Sequence, residues 1–284
     1  MELGANHMTF GLGFNFGFNQ HQQSSGGGGG GSTAWSDIVS ADSRTMFLAV
    51  DDETRLDLEP ATDDVNSWLD VADPNFDFDY VSGTKPTFDD TYPVNGTQKT
   101  IQNNGASVLM RSLATSADLL DASGVGALYF AVYVASDAAD QSISDAFNSF
   151  FRHGNNVAWG GMVNFYSIVD TPPHWGARAT MYDGATRTAD YGDIGALSAG
   201  WHLFAIRYRA DGIYFQIDDL TEVFTAGNVD ANGMTFLTGL LQIFNAYAAL
   251  PTTALALAAG YNADHDETTR NTIKSQIRSC ITDV

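Results

Sequence analysis

Residues 200–218 leave this chain little choice of local structure. Trp201-His202-Leu203-Phe204-Ala205-Ile206-Arg207-Tyr208 follows a glycine and is rich in aromatic and branched apolar residues. It runs into Arg209-Ala210-Asp211-Gly212, a turn with Asp-Gly chemistry. Beyond the turn, Ile213, Phe215 and Ile217 alternate with Tyr214, Gln216 and Asp218, the two-residue period of a strand with one buried face. The segment therefore predicts an antiparallel β-hairpin.

The rest of the body reads the same way. Leu128-Tyr129-Phe130-Ala131-Val132-Tyr133-Val134 is a continuous apolar run of strand length, as expected of a strand buried on both faces. Further strands are expected near 46–50, 106–111, 157–166, 177–182, 221–225, 239–245 and 254–260. The chain has 28 Gly and 29 Asp but only five Glu and three Lys, a balance that supplies turns and disfavours long helices. Many short strands joined by such turns predict an all-β fold, an antiparallel two-sheet sandwich.

Both ends differ from the body. Ile273, Ile277 and Ile281 recur every fourth residue with Cys280 beside them, which predicts a short helix over about 264–281 with one apolar stripe. Asp264, Asp266 and Glu267 open it, and Lys274 and Arg278 follow, the charge order that a helix dipole favours. Cys280 is expected to pack as a small apolar residue. At the front, residues 1–31 form an extended leader: Phe10, Phe14, Phe16 and Phe18 are spaced by Gly and Asn, and Gly26 to Gly31 are unbroken. Hexaglycine reads as a flexible joint, because it has no side chain to bury and the most backbone entropy to lose. The aromatic segment ahead of it reads either as a tail or as an anchor peptide for a partner's groove. Residues 32–284 are the expected sandwich domain.

The formal net charge is −21. So acidic a chain is a poor partner for nucleic acid or an anionic membrane surface, since both need a Lys/Arg field. No apolar run is long enough to span a bilayer, so no membrane insertion is expected. No basic segment followed by an apolar one marks a secretory signal, and a single cysteine excludes an internal disulfide framework.

Two stretches carry a family resemblance. Gly200 to Tyr208, the Asp211-Gly212 turn and Ile213 to Asp218 resemble the central hairpin of laminin-G-type domains, which have a concanavalin A-like jelly roll. Upstream come Phe47-Leu48-Ala49-Val50-Asp51-Asp52-Glu53-Thr54, then Asn66-Ser67-Trp68-Leu69-Asp70, Thr84-Lys85-Pro86-Thr87-Phe88 and Ala106-Ser107-Val108-Leu109-Met110. Their order is similar to the opening of such domains in bacteriophage virion proteins. The leader resembles the attachment leaders of phage structural proteins. The resemblance implies a jelly-roll body on the virion surface, joined through residues 1–31 to other virion proteins. It also implies a homo-oligomer, with a trimer favoured, that decorates the particle or attaches to host glycans.

No catalytic residue is assigned. A glycosidase of this fold needs two carboxylates facing across a sugar ring. The nearest pairs, Asp57 with Glu59 and Asp219 with Glu222, do not sit on a convincing central strand. The six histidines stand beside no Gly-x-Ser-x-Gly elbow, and the chain has no phosphate loop and no zinc spacing. Asn95-Gly96-Thr97 reads as a turn. Calcium at the sandwich rim is implied by the resemblance, with Asp51, Asp52, Asp89 and Asp90 as candidate ligands and Asp264 and Asp266 as further loop acids; the plain alternative is solvated acidic loops. Candidate glycan contacts are Trp159, His174 and Trp175, because sugar faces stack on aromatic rings; the plain alternative places both tryptophans in the core or in a subunit contact. The rival to a virion role is a free carbohydrate-binding module, or a weak glycoside hydrolase of the same fold.

Overall fold

The structure, a computed structural model, describes residues 44–71, 73–92, 98–103, 108–134, 149–154, 162–168, 174–182, 187–195, 197–209, 211–225, 241–245 and 253–281. The leader, Trp159 and the Asn95-Gly96-Thr97 turn lie outside them.

The described strands are β1 (Arg44–Ala49), β2 (Leu56–Leu58), β3 (Val65–Trp68), β4 (Phe78–Gly83), β5 (Thr87–Tyr92), β6 (Gln98–Gln102), β7 (Val108–Ser112), β8 (Gly126–Val134) and β9 (Ser149–Gly154). They continue with β10 (Met162–Ile168), β11 (His174–Tyr182), β12 (Arg187–Gly195), β13 (Gly200–Arg209), β14 (Gly212–Ile217), β15 (Val223–Thr225), β16 (Leu241–Asn245) and β17 (Thr253–Tyr261). A four-residue helix, α1 (Ser116–Leu119), precedes β8, and α2 (Glu267–Cys280) follows β17. No helix among the described residues is long and apolar enough to cross a membrane.

The strands form two antiparallel sheets. The first runs β15-β14-β13-β8-β17-β6-β5, and the second β12-β11-β10-β9-β16-β7-β4-β3-β2. One edge of β17 is shared: Ala254 and Leu255 pair with β6, while Leu257 to Tyr261 pair with β1. The expected hairpin is β13–β14, in register from Phe204 opposite Ile217 to Arg209 opposite Gly212.

Between the sheets lie Leu128, Phe130, Val132, Phe204, Ile206, Ile213, Phe215 and Ile217 from the first, against Trp68, Phe78, Val108, Met110, Phe151 and Ile243 from the second. A second apolar layer explains why β8 is apolar throughout. Its outward residues Ala127, Tyr129 and Ala131 join Ala205, Ala256, Leu257 and Ala259 beneath Ile273, Ile277 and Ile281 of α2. The alanines let the helix approach closely, and each isoleucine buried there contributes roughly 2 kcal/mol. Cys280 packs at the margin of this layer. Phe244 adopts φ 54, outside the extended region, and both it and its neighbour Ile243 are buried in the inter-sheet core.

The Trp-x-Asp element fixes β1. Trp68 is fully buried between the sheets. Two residues on, the buried Asp70 carboxylate accepts the N–H of Phe47 and, at 3.0 Å, that of Asp73. Val71 donates its N–H to the Phe47 carbonyl at 3.1 Å. These bonds occupy the side of β1 that faces away from β17, where an open strand edge would invite pairing with another chain. Asp70→Ala leaves two N–H groups without acceptors, one of them buried, and is expected to cost about 2–3 kcal/mol in urea unfolding. A loss below about 0.5 kcal/mol would show that water replaces the carboxylate.

Candidate functional site

The outer face of the first sheet carries a row of aromatic rings beside α2. Tyr133 near the end of β8 lies opposite Trp201 at the start of β13. Their ring centroids are 5.5 Å apart at an interplanar angle of 76°. Tyr92, the last residue of β5, meets Tyr133 edge to face at 5.0 Å. Tyr92 and Tyr133 are partly exposed and Trp201 is buried. The register brings polar groups alongside. Tyr133 pairs with Ala254, Ala254 with Gln102, and Gln102 with Thr87, so one line crosses four strands. In that line Ala254 is fully buried, and the Gln102 amide donates to Asp89 Oδ2 at 3.1 Å.

Past Trp201 the face dips into a small hollow between the start of β13 and the end of α2. Its walls are Trp201, Leu203, Ile277 and Ile281, and its rim is His202, Asp218 and Arg278. The rim is internally paired. His202 Nδ1 lies 2.7 Å from Asp218 Oδ2, and Nε2 lies 2.8 Å from the Ser198 carbonyl oxygen. Both neighbours are acceptors, an arrangement that favours the doubly protonated ring. Burial acts to lower the His202 pKa, but the bonds to Asp218 and Ser198 and the Asp218 charge outweigh it and hold the value above the ordinary one. Asp218 Oδ1 accepts the Leu203 N–H at 2.8 Å, which fixes the carboxylate. Arg278 pairs with Asp219 at 3.2 Å. The indole Nε1 of Trp201 is buried and has no hydrogen-bond partner.

Glu59, Glu222 and Asp219, three of the four carboxylates weighed as catalytic pairs, are engaged with cations. Glu59 accepts from Lys85 Nζ at 2.7 Å. Glu222 takes both Nε and an NH2 group of Arg207, and Asp219 bridges Lys274 and Arg278. Among the candidate calcium ligands, Asp51 and Asp52 are exposed after β1, where Asp52 accepts from the Thr54 hydroxyl at 2.6 Å. Asp89 and Asp90 lie in β5, and Asp89 accepts from Thr91 as well as Gln102. Asp264 pairs with Arg207 and Arg209, while Asp266 caps α2 by accepting the Thr269 N–H at 2.7 Å. Among the described residues no three His, Cys, Asp or Glu side chains gather closely enough to hold a metal ion.

His174 and Trp175 open β11, opposite Ile168 and Ser167 of β10, with Trp175 also opposite Gly195 of β12. They therefore belong to a strand of the second sheet, separate from the aromatic row on the first. Sequence reasoning passed over Tyr92, Tyr133 and Trp201. A signal existed: with Phe204, Ile206 and Tyr208 directed inward, the alternation along β13 directs Trp201 outward.

No family model matches the chain, and no curated protein matches it. Solved structures resemble it in fold. A mutant of Trypanosoma rangeli sialidase displaying trans-sialidase activity matches with a TM-score of 0.52 at 12% identity, over 85% of this chain and 34% of that one. The binding domain of botulinum neurotoxin serotype D matches with a TM-score of 0.51 at 9% identity, over 82% of this chain and 52% of the other. Domain 4 of AbnA, an extracellular arabinanase from Geobacillus stearothermophilus solved with arabinotriose, gives 0.50 at 11% identity, over 82% of this chain and 98% of that domain. The chain thus spans about half the length of the neurotoxin domain and a third of the sialidase. At these identities the likeness is one of fold, a two-sheet β-sandwich.

Proposed function

We propose that this chain is a non-enzymatic glycan-binding sandwich displayed on the outside of a bacteriophage particle, with residues 1–31 as its anchor. The observation that carries the binding role is the row Tyr92–Tyr133–Trp201. Tyr92 and Tyr133 are partly exposed beside the buried Trp201, with the Gln102–Asp89 pair nearby, and such a face suits a sugar, whose faces stack on aromatics while its hydroxyls need polar partners. The match to a whole arabinanase domain solved with a trisaccharide supports the same reading. The virion role is supported by the Phe/Gly leader and by the order of motifs from Phe47 to Met110.

Tyr133→Ala is expected to weaken binding of any glycan found on an array by at least tenfold, roughly the 1–3 kcal/mol of a lost stacking contact, while the unfolding midpoint moves little. Unchanged affinity would reject the platform. Deleting residues 1–31 is expected to leave a folded domain that binds the same glycan and no longer joins particles. If the truncated chain is still incorporated, the protein is better read as a free carbohydrate-binding module. Release of reducing sugar by the purified protein would overturn the non-enzymatic part.

A further inference from the structure

We propose that the outer face of the second sheet is a two-fold contact between copies of this chain, with Arg111 of each copy meeting Asp79 of the other. The contact lies on the sheet opposite the aromatic row, so it goes beyond the glycan-binding reading and does not depend on it.

Alternation along β7 sets the face. Val108, Met110, Ser112 and Ala114 are fully buried, and three of them belong to the core between the sheets. Leu109, Arg111 and Leu113 therefore point the other way, and Leu113 is 66% exposed. On β4, Asp79 stands opposite Arg111 in the register and Val81 is 40% exposed. Single exposed apolar residues are ordinary; the arginine set among them is not. Arg55, Arg207, Arg209 and Arg278 all pair with carboxylates, whereas Arg111 is exposed and pairs with none among the described residues. Its cross-strand neighbour Asp79 turns to β3 instead, where it accepts the Ser67 hydroxyl at 2.6 Å. Asp57 of β2, opposite Ser67, adds a second exposed acid to the same row.

What fits this face is the face itself. At a net charge of −21, two copies repel across most pairings, so a contact needs a patch that carries both signs. A two-fold axis between β4 and β7, parallel to the strands, turns β7 of one copy onto β4 of the other. Because Arg111 and Asp79 are directly opposite, this rotation sets each Arg111 over the second copy's Asp79. Because Ser82, next to Val81, is opposite Leu109, it also sets Val81 near the second copy's Leu109. One operation thus makes two charge pairs and two apolar contacts. The sheets stack with their strands aligned, about 10 Å apart, a gap that an arginine and an aspartate bridge. An unrelated acidic partner would pair with Arg111 but set its own charge against Asp79 and Asp57.

Sedimentation velocity on the full-length protein is the test. The protein is expected to run as a dimer at micromolar concentration. Arg111→Asp and Asp79→Arg each bring like charges face to face, and each should weaken association at least about a hundredfold while leaving the circular dichroism spectrum unchanged. Mixing the two single variants in equal amounts should restore dimers, and so should the double variant Arg111→Asp/Asp79→Arg, because opposite charges then meet again at both pairs. A monomeric wild type, or an oligomer that the single variants leave intact, would overturn the proposal. So would association lost in the single variants and recovered in neither the mixture nor the double variant, since the two residues would then not face each other.

Discussion

Lowering the pH from about 6.5 towards 3 is expected to unfold this protein, largely through His153. The residue lies in β9, fully buried between the sheets, with Nδ1 3.0 Å from the Tyr208 hydroxyl of β13 and Nε2 without a partner. Burial away from any compensating charge pulls its pKa down to about 3. An unfolded histidine takes up its proton near 6.5. Between those values the unfolded chain binds a proton that the folded chain refuses. The stability is therefore complete above about pH 6.5 and falls as the pH drops through the window, by up to tenfold in the folding constant per pH unit. Over the whole window the loss is on the order of 4 kcal/mol, a large part of a typical domain's stability. His265, also held below its ordinary value by burial, adds to the same slope.

Urea unfolding at pH 7, 6, 5 and 4 measures this, with the double variant His153→Leu/Tyr208→Phe as the comparison. Removing both partners leaves no orphaned hydroxyl, so stability at pH 7 should change little. The slope below pH 6.5 should become markedly shallower, with His265 supplying the remainder. An identical slope in the variant would show that His153 is not the group that takes up the proton.

Arg207→Met is expected to cost about 3 kcal/mol at neutral pH. Arg207 projects from β13 onto the outer face of the first sheet and is only 5% exposed. Its Nε and one NH2 group bond the two oxygens of Glu222 at 2.9 and 2.6 Å, and the other NH2 group bonds Asp264 at 3.1 Å. The guanidinium also lies 4.7 Å from the centre of the Tyr214 ring. One side chain thus joins three parts of the fold: the hairpin, the segment after β14 and the turn leading into α2. Truncating it leaves Glu222 without this cation and Asp264 with Arg209 alone, in a chain that already carries a net charge of −21. Losing one partner of a buried ion pair costs about 3–5 kcal/mol, and the partial exposure of Glu222 and Asp264 places the value at the lower end. The check is the urea midpoint of the variant, together with Arg207→Met/Glu222→Gln/Asp264→Asn, which removes the stranded charges and should recover a good part of the loss. A single-variant loss under 1 kcal/mol would mean that solvent screens this cluster.

Local pattern carried much of the fold. The alternation of Ile213, Phe215 and Ile217 is the buried face of β14, and the four-residue spacing of Ile273, Ile277 and Ile281 is the buried stripe of α2. Strands such as β5 (Thr-Phe-Asp-Asp-Thr-Tyr) and β6 (Gln-Lys-Thr-Ile-Gln) were illegible by the same rule. Their strand character comes from ladders with neighbours far away in the chain, not from an apolar period of their own.

The candidate site divides the same way. Tyr133, Trp201, Leu203 and Ile281 are ordinary apolar residues in sequence, spread over about 150 positions. Only the pairing of β8 with β13 and the docking of α2 bring them to one face. The buried charges behave alike: nothing near His153 announces Tyr208, and nothing near Arg207 announces Asp264. Sequence alone determined the features that repeat along the chain, namely periodic strands, one amphipathic helix, turn residues and net charge, because these depend on neighbours a few residues apart. The tertiary structure decided which aromatic rings meet, which histidine is stripped of water and which carboxylates share a cation, because those energies depend on contacts between segments that the chain separates.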